Sequence, residues 1–198
     1  NAEDLIPHQR VVVTLSSRGF IKRVATRAYR IQQRGGKGII GMVTREEDAV
    51  RVLTVCDTHD NLLFFTNRGK VFRVKCYELS ADSSRTAKGT AVVNLFPVVE
   101  GEKVTTILPI NAFVSNAYLV MATDHGEIKK TPLDKFANVR ANGLIAMDLE
   151  PKDELVSVCM GNDEQDVLVV TRRGWTIRFS IATLRTASRT SGGVKSAG

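Results

Sequence analysis

Seven consecutive residues, Gln32-Gln33-Arg34-Gly35-Gly36-Lys37-Gly38, hold three glycines and two cations. Glycine loses the most backbone freedom on ordering, so it is used where a chain turns tightly or approaches something closely. Such a stretch makes neither a good helix nor a packed strand. Arg34 and Lys37, set beside open backbone N–H groups, offer a seat for an anion. A plain surface turn has the same composition, and the seven residues alone leave both readings open. The stretch is not a nucleotide P-loop. That loop needs a glycine six residues before the lysine and a Ser or Thr after it, and Ile31 and Gly38 stand there.

Other reactive side chains are poorly placed for catalysis. His8, His59 and His125 all fall in the lead-in or in turns, which leaves no positioned general base. Cys56, Asp57, His59 and Asp60 are metal-ligating types in a short span. Beside Asn61, however, they read as a hairpin turn whose side chains bond the backbone. Cys56, Cys76 and Cys159 are odd in number, widely spaced and set in apolar runs. They read as reduced core or near-core residues of a cytosolic protein, not as a disulfide framework or a zinc site. No apolar run approaches the roughly 18 residues needed to cross a bilayer. The start, Asn1-Ala2-Glu3-Asp4, is no signal peptide, and without an initiator Met it reads as a cut inside a longer chain. The expectation is a domain with no metal, no cofactor and no membrane contact of its own.

The elements that position the glycine loop repeat along the chain. A hydroxyl residue, two turn residues and a glycine recur as Ser16-Ser17-Arg18-Gly19, Thr66-Asn67-Arg68-Gly69, Thr123-Asp124-His125-Gly126 and Thr171-Arg172-Arg173-Gly174. Each follows a β-type run (Val11–Leu15, Leu62–Phe65, Tyr118–Ala122, Val167–Val170) and precedes another (Phe20–Val24, Val71–Lys75, Ile128–Thr131, Trp175–Ser180). Paired runs around a glycine turn are β-hairpins, the glycine supplying φ > 0. Glycine loops keep the same beat at Gly36-Lys37-Gly38, Ala87-Lys88-Gly89, Ala141-Asn142-Gly143 and Ser191-Gly192-Gly193. After the first three come a strand-like run (Ile39–Val43, Ala91–Leu95, Leu144–Leu149), an acidic turn and a further strand (Val50–Cys56, Val104–Ile110, Leu155–Met160). Four strands, no helix and a period near fifty residues indicate an all-β array of blades. Residues 1–10 read as a linker and residues 11–198 as one domain.

The chain of 198 residues carries a net charge of +7, which points to a polyanionic partner. The fourth residue after each hairpin glycine is basic: Arg23, Arg73, Lys130 and Arg178. Arg18, Arg68, His125 and Arg173 immediately precede those glycines, and Lys22, Lys70, Lys75, Lys129 and Arg172 lie close by. Arg85, Lys88 and Arg140 extend the set into the glycine loops. Cations at one register position in successive blades form a belt, suited to the regular phosphates of duplex DNA. Charged strand edges that block aggregation are the simpler alternative. Aromatic content is 6%, with no recurring exposed position, which argues against base-stacking platforms. No recognition helix is visible, so what remains is backbone binding with bending.

The heptapeptide at 32–38 resembles the gyrase A-box of the C-terminal domain of the DNA gyrase A subunit. The flanking Val11-Val12-Val13-Thr14-Leu15-Ser16, Asp57-Thr58-His59-Asp60, Val92-Val93-Asn94-Leu95-Phe96-Pro97, Met121-Ala122-Thr123 and Lys129-Lys130-Thr131 agree, and the resemblance covers essentially the whole chain. One departure is Gln33, where that family commonly has Arg or Lys. The resemblance implies a β-pinwheel, a propeller-like disc whose four-stranded blades exchange a strand. About four blades of a usual five or six are represented, which reads as truncation at the C-terminus. It implies DNA wrapped with positive handedness around the outer rim, in a bacterial cytoplasmic A2B2 enzyme that introduces negative supercoils. The catalytic tyrosine and the ATP- and Mg2+-dependent steps lie elsewhere in that enzyme, so Tyr29, Tyr77 and Tyr118 are not nucleophiles. The isolated domain would be a monomer. The related A-type subunit of topoisomerase IV usually has a degenerate or absent box. A propeller-like protein-interaction scaffold with a basic rim is the alternative from another class.

Overall fold

A computed structural model describes residues 2–28, 48–81 and 88–195. Among the described residues fourteen strands account for the regular structure, and every helical element is a short 3-10 turn. The four expected hairpins are present. They are β1 (Arg10–Ser16) with β2 (Phe20–Ala25), β4 (Asn61–Thr66) with β5 (Lys70–Lys75), β8 (Tyr118–Thr123) with β9 (Glu127–Pro132), and β12 (Asp166–Val170) with β13 (Thr176–Ser180). Trp175, expected to open the last strand, precedes it and is exposed.

The hairpin marker is explained residue by residue. Its glycines Gly19, Gly69, Gly126 and Gly174 have φ between +76 and +86°. Each glycine N–H donates to the carbonyl of the hydroxyl residue, at 3.0, 3.0, 3.1 and 3.0 Å. The hydroxyls of Ser16, Thr66, Thr123 and Thr171 accept from the N–H that follows the glycine. The hydroxyl therefore satisfies a donor that a tight turn would otherwise strand.

Each of the first three hairpins gains a third strand from the segment that follows it: β3 (Val50–Asp57) on β1, β7 (Val104–Ile110) on β4, and β11 (Leu155–Gly161) on β8. The fourth strand comes from the next unit. β6 (Thr90–Ala91), β10 (Leu144–Ile145) and β14 (Val194–Lys195) pair with β2, β5 and β9 of the unit before. The sheet orders are β3-β1-β2-β6, β10-β5-β4-β7 and β11-β8-β9-β14, with β12-β13 as the fourth. This is the strand exchange of a pinwheel. β7 lies beside both β3 and β11, so the third strands converge on the axis and the donated strands form the outer edge.

The donated strands are shorter than the runs Ala91–Leu95 and Leu144–Leu149. Beyond Ala91 the neighbouring strand has reached its turn: Val92 N–H already donates to Gly19 O at 2.8 Å, and the chain leaves in a 3-10 turn at Val92–Asn94. The run Ile39–Val43 lies outside the described residues.

Alternation along each strand builds the core. Leu62 and Phe64 face the first blade, with Val11, Val13, Leu15 and Phe72. Leu63 and Phe65 face the third, with Leu119, Met121 and Phe136. Strands covered on both sides read as unbroken apolar runs, which is why β4 is buried at every position. The third blade's Val120 and Ile128 pack on Ile181 and the half-buried Val167 and Val169 of the fourth. Cys56 and Cys76 are buried in the first interface with sulfurs 3.6 Å apart, so the fold joins two cysteines the sequence sets far apart. Cys159, expected near the core, is exposed because its position on β11 points outward.

The glycine loops are set by the strand exchange. A Cβ on Gly89 would lie 2.4 Å from Ile21 O, and one on Gly143 would lie 2.7 Å from a Phe72 ring carbon. The donated segment thus meets the preceding hairpin's backbone at Gly89 and its Phe72 ring at Gly143. Gly19 has φ +82° with nothing within 4 Å of its missing Cβ. Gly89→Ala should cost about 3 kcal/mol or more, from overlap and strain together. Gly19→Ala should cost only about 1–2 kcal/mol, from strain alone. Urea denaturation of the two variants measures the difference.

Candidate nucleic-acid interface

The hairpin turns display their cations because acidic residues hold the turns from behind. Ser17, Asn67 and Asp124 donate N–H to the carbonyls of Ala49, Lys103 and Glu154, just before the axial strands, at 2.8, 2.9 and 2.9 Å. In the same segments Asp48 accepts from Arg18 N–H, Glu102 from the Thr66 hydroxyl, and Asp153 from His125 N–H. The acidic turns of the repeat are therefore anchors. Arg18, Arg68, Arg172 and Arg173 stay exposed on this face. The axial depression beside them is lined by Arg51, Lys103 and Arg172 but also by Asp124 and Glu154, a mixture that makes no dedicated phosphate seat.

The four cations that share a register have a different setting. Arg73 donates to the carbonyl of Ala137, which caps the turn after the third hairpin. Lys130 is buried. Its ammonium donates to Ile181 O at 3.0 Å and Asp163 Oδ1 at 2.8 Å, and sits 4.4 Å from the Tyr118 ring centre. Arg23 is half-buried and bridges by its backbone to Ala81, after the second hairpin. The Arg73 and Lys130 side chains thus reach the post-hairpin turn of the next blade, whereas Arg23 meets it through its backbone alone. Arg178 instead pairs with Asp166 of its own hairpin at 2.6 Å. A clamp between blades demands a fixed register as strictly as a phosphate belt does.

Lys22 and Lys129, both third after a hairpin glycine, are buried. Lys22 lies against Gly89 of the donated segment. The Lys129 ammonium donates all three protons to carbonyls of the last glycine loop: Ser188 at 3.0 Å, Arg189 at 2.9 Å and Ser191 at 2.8 Å. Burial lowers its pKa to about 8, Arg189 adding to the shift and Asp148 opposing it. It is still mainly protonated at neutral pH, so the tripod persists. Lys75 is half-buried, bonded to Glu3 at 3.2 Å, and Lys70 is half-buried on the strand beside β10.

On the outer edge, Lys88 and Arg140 are exposed, with Lys88 4.6 Å above the Phe20 ring. Gln32, Gln33, Arg34, Gly35, Gly36, Lys37, Gly38 and Arg85 lie outside the described residues. Sequence reasoning passed over the exposed Arg185 and Lys195 and the half-buried Arg189. The signal for Arg189 was present: it stands four residues before the last glycine of its loop, as do Arg34 and Arg85.

Blades of antiparallel strands joined by strand exchange place the chain among the propeller-like domains. The family model described as "DNA gyrase C-terminal domain, beta-propeller" matches residues 10–57, 60–111, 117–158 and 165–197, one segment per blade. The chain belongs to this family. It is 49% identical over 193 residues to the DNA gyrase A subunit of Dehalogenimonas lykanthroporepellens, and 46% identical to that of Halalkalibacterium halodurans. These alignments cover 98% of this chain but only 24% and 23% of the relatives, so the chain spans about a quarter of their length. Among solved structures, a DNA gyrase A C-terminal domain aligns with a TM-score of 0.76 and 26% identity, over 94% of this chain and 60% of that one. A DNA topoisomerase IV C-terminal domain aligns with the same TM-score and 25% identity, over 96% and 58%. Fold alone therefore does not separate the two enzymes.

Asp153 gives this face a pH dependence. Burial raises its carboxyl, but bonds from the Thr123 hydroxyl and the N–H groups of His125 and Glu154 outweigh burial and hold it below the usual aspartate value. The stabilisation is complete above about pH 4 and is lost as pH falls through the lower folded value. Asp153→Asn should cost about 1–3 kcal/mol at pH 7. That difference from the parent should shrink as pH falls through the carboxyl's lowered value, as read by urea unfolding across pH.

Proposed function

We propose that this chain binds duplex DNA through its sugar-phosphate backbone and bends it around the outer edge of the disc with positive handedness. The enzyme it serves then introduces negative supercoils. The observation that carries this reading is the set of exposed cations repeated from blade to blade: Arg18, Arg68, Arg172 and Arg173 on the hairpin turns, Lys88 and Arg140 on the donated loops. Arg34 and Lys37 of the glycine heptapeptide belong with them by sequence register. A curved row of such charges follows regularly spaced phosphates without reading bases. Specificity would then come from the cost of deforming the duplex. Among the described residues no helix longer than a 3-10 turn is available to lie in a major groove as a recognition helix.

The domain carries no catalytic step in this reading. Strand cleavage and the ATP- and Mg2+-dependent steps belong to the rest of a cytoplasmic A2B2 assembly, in which this domain presents a segment of the same DNA. A topoisomerase IV subunit is the second reading, supported by the equal fold match. The near-intact heptapeptide and the gyrase relatives favour the first.

Salt titration separates contact from scaffold. Arg68→Ala or Arg172→Ala should each lower the slope of log affinity against log salt by about 1. Lys130→Gln should lower stability and leave the slope unchanged. Arg34→Ala with Lys37→Ala should keep the fold and most of the affinity but abolish bending, read by energy transfer between the ends of a labelled duplex. Slopes that respond to Lys130 and not to the exposed arginines would overturn the assignment.

A further inference from the structure

The segment before the disc is bonded to it around one histidine, His59, with Asp57, Thr58 and Lys75 beside it. His59 sits in the turn between β3 and β4, and its Nε2 donates to Ile6 O at 2.7 Å. Its ring stacks on His8 at 3.9 Å between centres, and Tyr77 meets it edge-on at 5.8 Å. Around it, Thr58 donates its hydroxyl to Pro7 O at 2.8 Å and accepts from Gln9 N–H at 3.1 Å. Thr58 N–H in turn bonds Gln9 O at 3.0 Å. His8 Nδ1 lies 2.9 Å from Asp57 Oδ1. The His59 N–H and then His8 hold the Asp57 carboxyl below its usual range. Glu3 pairs with Lys75 at 3.2 Å and stands 4.0 Å from His59 Nδ1.

A free linker would make none of these contacts. The turn holds its own shape independently of the lead-in, through Asp60 Oδ2 accepting from Asp57 N–H and Asp57 Oδ1 accepting from His59 N–H. It is also pinned from the second blade, where Cys76 and Tyr77 donate N–H to Asp60 O and Thr58 O. The receiving surface is therefore built before the lead-in arrives. It lies at the end of the strands opposite the hairpin turns, because β1 runs from Arg10 beside Asp57 to Ser16 at its turn. Residues 2–10 can dock there without covering Arg18 or Arg68.

We propose that His59 is a positioning residue, which clips the lead-in so that the disc is held at one orientation to the part of the subunit that precedes it. This rests on the reading of the chain as the DNA-wrapping part of a larger enzyme. A held disc delivers its bent DNA in one direction, whereas a disc on a free tether delivers it over many. The clip then governs how wrapping is converted into supercoils and leaves DNA affinity alone. The ring supplies the hydrogen bond and the stack together, and Glu3 and Thr58 secure the two sides.

The test uses the complete A subunit in its A2B2 assembly, with one fluorophore on the disc and one on the preceding part of the subunit. The parent should give one narrow distance distribution. His59→Ala should broaden it and lower the supercoils introduced per ATP hydrolysed at least threefold, with DNA affinity unchanged. His59→Gln, which keeps a donor for Ile6 O, should recover most of the narrow distribution. If His59→Ala fails to fold, Glu3→Gln with Thr58→Val loosens the same clip from its other contacts and should broaden the distribution in the same way. A variant with the parent's distribution and the parent's coupling overturns the clip. If the parent assembly itself fails to supercoil DNA, the wrapping reading fails instead, while the distance distributions still decide whether His59 holds the disc.

Discussion

A two-residue strand passes from the second, third and fourth units to the edge of the unit before, and the rest of the structure follows from that crossing. β6, β10 and β14 make few backbone bonds, yet they fix where the glycine loops lie, because the loop crosses the preceding hairpin against its backbone at Gly89 and Gly193 and against the Phe72 ring at Gly143. Gly89 and Gly143 are there for want of space, and a side chain would push the donated strand off its edge. Once the crossing is made, the apolar faces of successive sheets meet in register. Leu62 and Phe64 then serve one interface and Leu63 and Phe65 the next.

Two physical demands compete for the cations. Holding blades together calls for long side chains that reach the next unit's carbonyls, as Arg73, Lys129 and Lys130 do. Binding a polyanion calls for side chains left in solvent, as Arg68, Lys88 and Arg172 are. Both demands repeat once per blade, so both leave the same periodic trace in the sequence. Burial divides the lysines, with Lys129 and Lys130 buried and Lys88 exposed, whereas the exposed Arg73 is set apart only by its bond to Ala137 O. A buried ammonium whose protons are already held by carbonyls would have to surrender those bonds, and its loop, to meet a phosphate.

Much of the fold was legible from local chemistry. The hydroxyl-x-x-Gly marker specifies its turn through contacts within five residues, so the four hairpins and their boundaries could be read directly. The axial strands were legible too, because β-branched and apolar runs followed acidic turns at a constant distance. The extent of the donated strands was not. Ala91–Leu95 has strand-like composition, but its pairing ends where a strand some seventy residues earlier turns away at Gly19. The meeting of Cys56 with Cys76 was hidden for the same reason, since it depends on how two blades stack. For the site, sequence register found the cations but could not sort them. Arg73 and Lys130 share the period of a belt, yet both bond the next blade. The lead-in looked like a linker because nothing local marks His59 as its partner.

The central claim is that this arrangement of blades imposes a handed path on duplex DNA. Nicked circular DNA ligated in the presence of increasing amounts of the chain, then freed of protein, reports that path as a change in linking number with a sign. A positive shift that grows with protein and disappears at high salt is the predicted result. A shift of zero with salt-sensitive binding intact, or a negative shift, would contradict it.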